Sequence, residues 1–412
     1  MRTVFVFLAS LVSLSAFAVP ADIRLHSSDS TSLAARIESI QRATRNIDIE
    51  TFYFQPDIIG NRVLAELIRA HQKNPQMPIR LLLDGWGSAG FSSNLACDLK
   101  NKGISVKFYN RTRDLIHKGG THRKIWIADD TAIVGGRNLS AEHFSVDGAT
   151  ALSDWDLEIK GPLVNAIQSS FEQGWNSQQS KPPSCAHFSP YDFTDIDASM
   201  GRPLPEIESS MPDWISTAAQ WYADSLGTRT SSHVAYQATA ELLHSAQQSL
   251  SVENAYFLPV DKIFSELTLA HKREVKIDFY LNGPRPGYWM GELSSCLPLR
   301  DIEYWIRENA RVTIVPKNHR THAKALLVDD RALAIGSFNW DAWSIRLNAE
   351  TLLVTDSPPL IQQFKAEHER RMDVGIKATG LEEIFSAYQM TSRQIFKCKA
   401  ESRLKPILKN FF

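Results

Sequence analysis

The chain has 412 residues, enough for one large domain or two or three ordinary ones. Apolar residues make up 43% and charged residues 22%, which excludes a disordered chain and a multi-span membrane protein. A net charge of −1 excludes bulk attraction to nucleic acid or anionic lipid, so any such binding must be local.

In chain order, the first feature is MRTVFVFLASLVSLSAFAVPAD. A single Arg, an apolar run from Val4 to Val12 and the triplet Ala16-Phe17-Ala18 read as a signal peptide, residues 1–18. An uncleaved anchor is the rival reading. Export, to the periplasm or beyond the cell, is therefore expected, with peripheral membrane contact. Cys97, Cys185, Cys296 and Cys398 follow, and export would permit disulfides in any of three connectivities; free buried thiols are the alternative.

The rest of the chain is written twice. ATRNIDIETFYFQPD (43–57) aligns with AQQSLSVENAYFLPV (246–260), setting Glu50 over Glu253 and Tyr53 over Tyr256. Helical stretches follow at 61–73 and 262–274, then apolar strands IRLLLDGWG (79–87) and IDFYLNGPR (277–285). GISVKFYN (103–110) and ARVTIVPK (310–317) form a third pair of strands. THRKIWIADD (121–130) is then answered by THAKALLVDD (321–330), and TAIVGGRN (131–138) by RALAIGSFN (331–339). The expected architecture is α/β: two pseudo-twofold-related units, each a mostly parallel sheet flanked by helices, with the active site at their interface. The boundaries read as 19–176 for the first unit, 177–232 for a linker with a helical part, 233–375 for the second unit, and 376–412 for a basic tail. With both copies in one chain, a monomer is expected.

Side chains alternate across a strand, so His122 and Lys124 share one face, as do His322 and Lys324. Gly135-Gly136 and Gly336-Ser337 leave room for close approach of a ligand to the backbone, and Asn138 and Asn339 follow as amide donors. The second copy, H-x-K-x4-D-x6-G-S-x-N, resembles the phospholipase D superfamily in full; the first resembles it with one residue fewer after Asp129 and Gly-Gly for Gly-Ser. GSFNWDAWSIRLNAE (336–350) is most similar to the bacterial cardiolipin-synthase and phospholipase branch. The resemblance spans roughly residues 30 to 375.

That resemblance implies a catalytic set of His122, Lys124, Asp129, His322, Lys324 and Asp329. Gly136, Asn138, Ser337 and Asn339 would bind substrate; no metal or other cofactor is implied. A phosphodiester repels nucleophiles, so the lysines and asparagines must neutralise its oxygens while one bare imidazole attacks and a second, protonated one frees the leaving alkoxide. One ring cannot be bare and protonated at once. His122 is taken as nucleophile and His322 as acid, with Asp156 and Glu350 each fixing one ring's tautomer. Asp129 and Asp329 are also read as braces for their hairpins, and Glu50 and Glu253 as braces for the lysines. His117, His143, His187 and His319 are given no role, and Tyr53 and Tyr256 are read as core or pocket wall.

The expected activity is phospholipase D-type hydrolysis of glycerophospholipids at a membrane surface, through a phosphohistidine. A cardiolipin-synthase-type phosphatidyl transferase is the alternative. A nuclease fits less well, because no basic stripe interleaved with aromatics is present, and a silent scaffold would not keep two complete sets. Trp86 with Phe91, and Tyr288-Trp289-Met290, sit in loops suited to a bilayer interface or to surface packing. The segment 392–412 reads as a membrane-lying basic helix or a docked terminal one.

Overall fold

A computed structural model describes residues 17–111, 119–145, 152–186, 189–199, 201, 210–226, 233–259, 261–284 and 296–408. The signal peptide expected at 1–18, except Phe17 and Ala18, lies outside the described residues, as do His117, His187 and the Tyr288-Trp289-Met290 triplet.

Each unit grows from the same local choices. The strand Ile47–Thr51 is buried at every position, which a strand covered on both faces requires. Asp57 then caps the helix Ile58–Lys73, its carboxylate accepting from the amides of Ile59 and Gly60. Ile59, Val63, Leu64 and Leu67 form the buried stripe of that helix, which ends at Asn74 before Pro75.

All of this assembles into one sheet of sixteen strands among the described residues. From one edge the order is Ile376–Ala378, Arg311–Ile314, Lys276–Leu281, Ser249–Asn254, Lys324–Val328, Ala332–Gly336, Thr351–Thr355 and Ile215–Ala223. It continues through Val19–His26, Asp156–Lys160, Thr131–Gly135, Ile125–Ala128, Ile47–Thr51, Ile79–Asp84, Ile104–Tyr109 and Ser180–Lys181. The second half of this order mirrors the first, with the pseudo-twofold between Val19–His26 and Ile215–Ala223, which pair antiparallel. Parallel pairing in this sheet is confined to three strands in each unit, as in Ile47–Thr51, Ile79–Asp84 and Ile104–Tyr109; the remaining neighbours are antiparallel. The sheet is therefore mixed, with the parallel part where helices connect consecutive strands.

The segment read as a linker holds sheet residues. Ile215–Ala223 pairs with Thr351–Thr355 and stands to the second unit as Val19–His26 stands to the first. Ser180–Lys181 closes the edge of the first unit just as Ile376–Ala378, from the tail, closes the second. Beyond each edge a disulfide ties the chain down: Cys97–Cys185 and Cys296–Cys398. The tail is docked, through the helix Ser392–Arg403 that carries Cys398 and through an ion pair between Lys405 and Asp301. Phe396 on that helix stays 75% exposed.

Three large apolar clusters form the core. One belongs to each unit, and a third mixes Ile23, Ile125 and Ile127 with Ala325, Leu327, Leu353 and Phe364. The two units thus share buried surface as well as a sheet. No helix of the described residues is long and apolar enough to cross a membrane.

Candidate active site

The two histidine strands end where the units meet, and each is fastened to the opposite unit. The amide of His122 donates to the carbonyl of Ala349 at 2.9 Å, and that of His322 to Ser153 at 2.7 Å. Just upstream, Thr121 and Thr321 donate their amides to Asp84 and Asn282, both at 2.9 Å. These are the acidic and amide residues that end the DG and NG strands, so the repeat uses the same polar anchor in two chemical forms.

The carboxylates also cross over. His122 Nδ1 lies 2.9 Å from Glu350 Oε2, and His322 Nδ1 lies 2.8 Å from Asp154 Oδ2. The second partner is therefore Asp154, not the expected Asp156. Asp154 and Asp156 lie two apart on one strand face, so alternation cannot choose between them. Strand register does: Gly135 pairs with Asp156 where Gly336 pairs with Leu352, which makes Asp154 the equivalent of Glu350. Asp156 is instead buried between Arg36 and Arg137, 3.1 and 3.0 Å away, and those guanidiniums hold its carboxyl well below the usual range against the cost of burial.

The expected roles of six further residues are corrected. Gly136 and Ser337 do not line the cleft. A Cβ on Gly136 would lie 2.3 Å from Asp154 Oδ1, so the space belongs to that carboxylate rather than to substrate. Ser337 Oγ donates to Glu350 Oε2 and accepts the amide of Thr351. Asp129 accepts the amides of Thr44, Arg45 and Asn46, and Asp329 those of Gln247, Gln248 and Ser249. Both aspartates pin the turn before a parallel strand, away from the histidines. Their hairpins differ by the missing residue, since Ala128 pairs with Thr131 but Val328 with Ala332. Glu50 binds Arg123 at 2.7 Å and Glu253 binds Arg371 at 2.7 Å, so they hold arginines and not the lysines.

What remains at the centre is a compact buried cluster. His122, Lys124, His322 and Lys324 are 3–8% exposed, so water screens them little. Burial, and then the two lysines, hold the His122 imidazole well below its ordinary value; burial and Lys324 do the same to His322. Burial lowers Lys124 to about 7 and Lys324 to about 8. It raises Asp154 and Glu350 to about 7 each. Lys124 donates to the carbonyl of His122 at 2.6 Å, and the ammonium of Lys324 sits 3.0 and 3.1 Å from the two ring nitrogens of His322. His143, Asp154 and His322 offer ligand atoms within 4.8 Å of one another, but the Lys324 ammonium already places a positive charge there.

Above the cluster opens a cleft of about 540 Å³, lined from both units by His122, His322, Asn138, Asn339, Tyr53 and Tyr256 among others. Its ends differ although its scaffold repeats. Over His122, Phe52 meets the ring edge-on at 4.8 Å, and Trp86 stacks with Trp343 at 6.0 Å. Trp86 is thus packed in the cleft wall while remaining 43% exposed. At the His322 end stand Glu142, Arg320 and His143, whose ring is edge-on to His322 at 4.6 Å. His143 was passed over in the sequence because its counterpart, Ser344, is no histidine. Asn138 Nδ2 lies 3.1 Å from its Nε2, which makes Nε2 the acceptor.

Comparison with known proteins agrees with this geometry. The family model "Cardiolipin synthase, PLD-like domain" matches residues 37–175 and 239–372. Cardiolipin synthase B of Salmonella typhi is 26% identical over 336 residues, covering 78% of this chain and 73% of that protein. A cardiolipin synthase of Staphylococcus aureus is 26% identical over 342 residues, covering 80% and 63%. Phosphatidylserine synthase of Haemophilus influenzae shares the fold, with a TM-score of 0.74 at 16% identity over 96% of this chain and 97% of that one. Two matched segments, one in each unit and together spanning more than half the sequence, make this chain a member of the cardiolipin synthase, phospholipase D-like family.

Proposed function

We propose that the protein is a phosphatidyl transferase of the cardiolipin-synthase type, with hydrolysis as the side reaction when water reaches the intermediate first. The observation that carries this reading is the crossed pair of imidazoles, each with its Nδ1 held by a carboxylate of the opposite unit above a buried pair of lysines. The similarity to cardiolipin synthases favours transfer over the hydrolysis expected at first.

The steps follow from the residues. Glu350 takes the Nδ1–H of His122, leaving Nε2 bare to attack phosphorus of a phosphatidylglycerol. Lys124, Lys324, Asn138 and Asn339 face the non-bridging oxygens. The P–O bond to glycerol breaks as His322 gives that oxygen its proton, and the phosphatidyl group rests on His122. In the empty site burial and the lysines keep His322 neutral, so the incoming anion, by offsetting their charge, favours the protonated acid that the first step needs. The hydroxyl of a second lipid then returns its proton to His322, bonds to phosphorus and frees His122.

The polarity of the cleft supports the same assignment. The aromatic end over His122 suits the acylated part of the donor that stays on the nucleophile, and the polar end over His322 suits the leaving headgroup. The proposed site of action is an exported one, at a membrane surface and as a monomer; two disulfides are in keeping with an oxidising compartment. The test is incubation of purified protein with phosphatidylglycerol vesicles and chelator, with single-stranded DNA in a parallel arm. Cardiolipin and free glycerol are expected, and His122→Ala and His322→Ala should each lose a factor of 10² or more. Phosphatidic acid alone would reduce the protein to a hydrolase, and shortened DNA without lipid products would overturn the reading.

A further inference from the structure

The two asparagines of the repeat enter the cleft on the same backbone. Leu139, after Asn138, bridges to Phe54, and Trp340, after Asn339, bridges to Phe257. Both side chains line the cleft yet are only 4% and 5% exposed, so protein atoms rather than bulk water must meet their amides. Those atoms differ between the units. Asn138 Oδ1 accepts the amide of Tyr53 at 3.3 Å, and its Nδ2 lies 3.1 Å from His143 Nε2. In the second unit the equivalent amide, that of Tyr256, goes to Asn254 Oδ1 at 3.2 Å, where the first unit has Thr51. Ser344 stands in the place of His143 and donates its hydroxyl to Glu350 at 2.6 Å. Asn339 Oδ1 is left buried, with no hydrogen-bond partner among the described residues.

The contacts of Asn138 also fix the hydrogens. A backbone N–H can only donate, so the atom that meets Tyr53 is the amide oxygen, and the amide nitrogen must donate to His143. His143 Nε2 is therefore bare and its Nδ1 carries the hydrogen. Burial, then the charges of Lys324, Lys124 and Arg137, hold this imidazole well below its ordinary value, so Nε2 stays an acceptor. Nδ1 has no partner among the described residues, which leaves Asn138 as the ring's one hydrogen bond there. Held at both ends, the Asn138 amide has one N–H tied and the other left for the cleft it lines. A donor fixed before substrate arrives needs no reorganisation when charge builds on a phosphoryl oxygen. The amide of Asn339 has no such hold on its oxygen.

We propose that His143 is a positioning residue that fixes Asn138 as the preorganised amide donor of the site, so that the two asparagines are not interchangeable. That the bound atom is a phosphoryl oxygen rests on the transferase reading; that His143 holds Asn138 does not. The test is a double-mutant cycle in the full chain, read first on monomeric dihexanoyl phosphatidylglycerol. Asn138→Ala should lower kcat by roughly 10². His143→Phe keeps a ring beside His322 but removes the acceptor, and should lower kcat roughly tenfold while KM changes less than about twofold. His143→Gln, whose Oε1 can stand in for Nε2, should recover most of that loss. In the Asn138→Ala background, His143→Phe should cost less than about twofold, because no amide is left to hold.

An undiminished loss in that background would mean that His143 acts on His322 through their ring contact, and would overturn the assignment. So would wild-type kcat in His143→Phe, or a His143→Gln variant no better than His143→Phe. Should Phe not fit the buried site, His143→Leu takes its place in the cycle. Calorimetry with inorganic phosphate reads the same cycle without chemistry. His143→Phe should weaken phosphate roughly fivefold in the wild type and less than about twofold on Asn138→Ala. If this coupling holds and no lipid is turned over, the transferase reading falls and the positioning role stands. Lipid transfer without coupling in either measurement keeps the reading and overturns the positioning role.

Discussion

Asp154 and Asp156 sit two positions apart, are equally buried, and do opposite work. Asp154 orients His322, so Asp154→Asn should leave the fold intact and cut kcat by roughly 10² to 10⁴, as expected when an imidazole loses its tautomer lock. Asp156→Asn leaves two buried guanidiniums short of their shared anion and should cost about 3–5 kcal/mol of stability, seen by denaturant unfolding. The reverse pattern would place the lock on the wrong carboxylate. Gly136→Ser should mimic the Asp154 variant, since the added Cβ enters that carboxylate's space. A measured kcat within twofold of wild type would count against the crowding argument.

The same burial sets the pH response. Lys124 and Lys324 have lowered values, about 7 and about 8, and they attract the phosphodiester only when charged. Raising pH through that window discharges them, so kcat/KM should fall on the alkaline side from near neutrality. A bound anion favours the charged lysines, so the kcat limb should lie at higher pH than the kcat/KM limb. Coincident limbs in the two profiles would say that the lysines do not meet the phosphoryl group.

At the scale of elements, the two hairpins after the histidine strands show what pattern reading can and cannot reach. The alternation in THRKIWIA and THAKALLV placed the histidines and lysines on the correct face, and the shortened spacing after Asp129 is a tighter turn. Asp129 and Asp329 read as hairpin braces in the sequence, but their carboxylates pin the turns before Ile47–Thr51 and Ser249–Asn254, a partner that pattern alone does not reveal. Three backbone amides converge on Asp329. Asp329→Ala should therefore lower stability by about 2–3 kcal/mol while activity per folded molecule persists. Loss of turnover in fully folded protein would return that residue to the catalytic set. Register across strands was not legible, which is why Asp156 stood in for Asp154. The Ile215–Ala223 strand was hidden for another reason: it pairs with Val19–His26 far away in sequence, and its own residues, ISTAAQWYA, lack a continuous apolar run. His143 and Arg320 escaped because a search for matching residues is blind to positions where the copies differ.

For the whole molecule, two disulfides join cysteines 88 and 102 residues apart, each tying the chain after an edge strand back to the body of its unit. Chain-entropy arguments put such closures at up to about 4–5 kcal/mol each, with real values commonly lower. Cys97→Ser/Cys185→Ser should lower the melting temperature in a scan and leave the unreduced pair in the second unit. Because the third apolar cluster contains residues of both units, that variant should still melt in one transition. Two resolved transitions would mean that the halves are thermodynamically independent despite their common sheet.

The exchange of carboxylates between halves has a consequence for the life of the chain before it is finished. While the halves are apart, neither ring has a residue to fix which nitrogen carries hydrogen, and neither lysine has its pocket. A partly folded copy thus lacks the paired, oriented imidazoles that the proposed transfer requires. Reactivity switches on only when the last docking event brings both imidazoles their borrowed anions together.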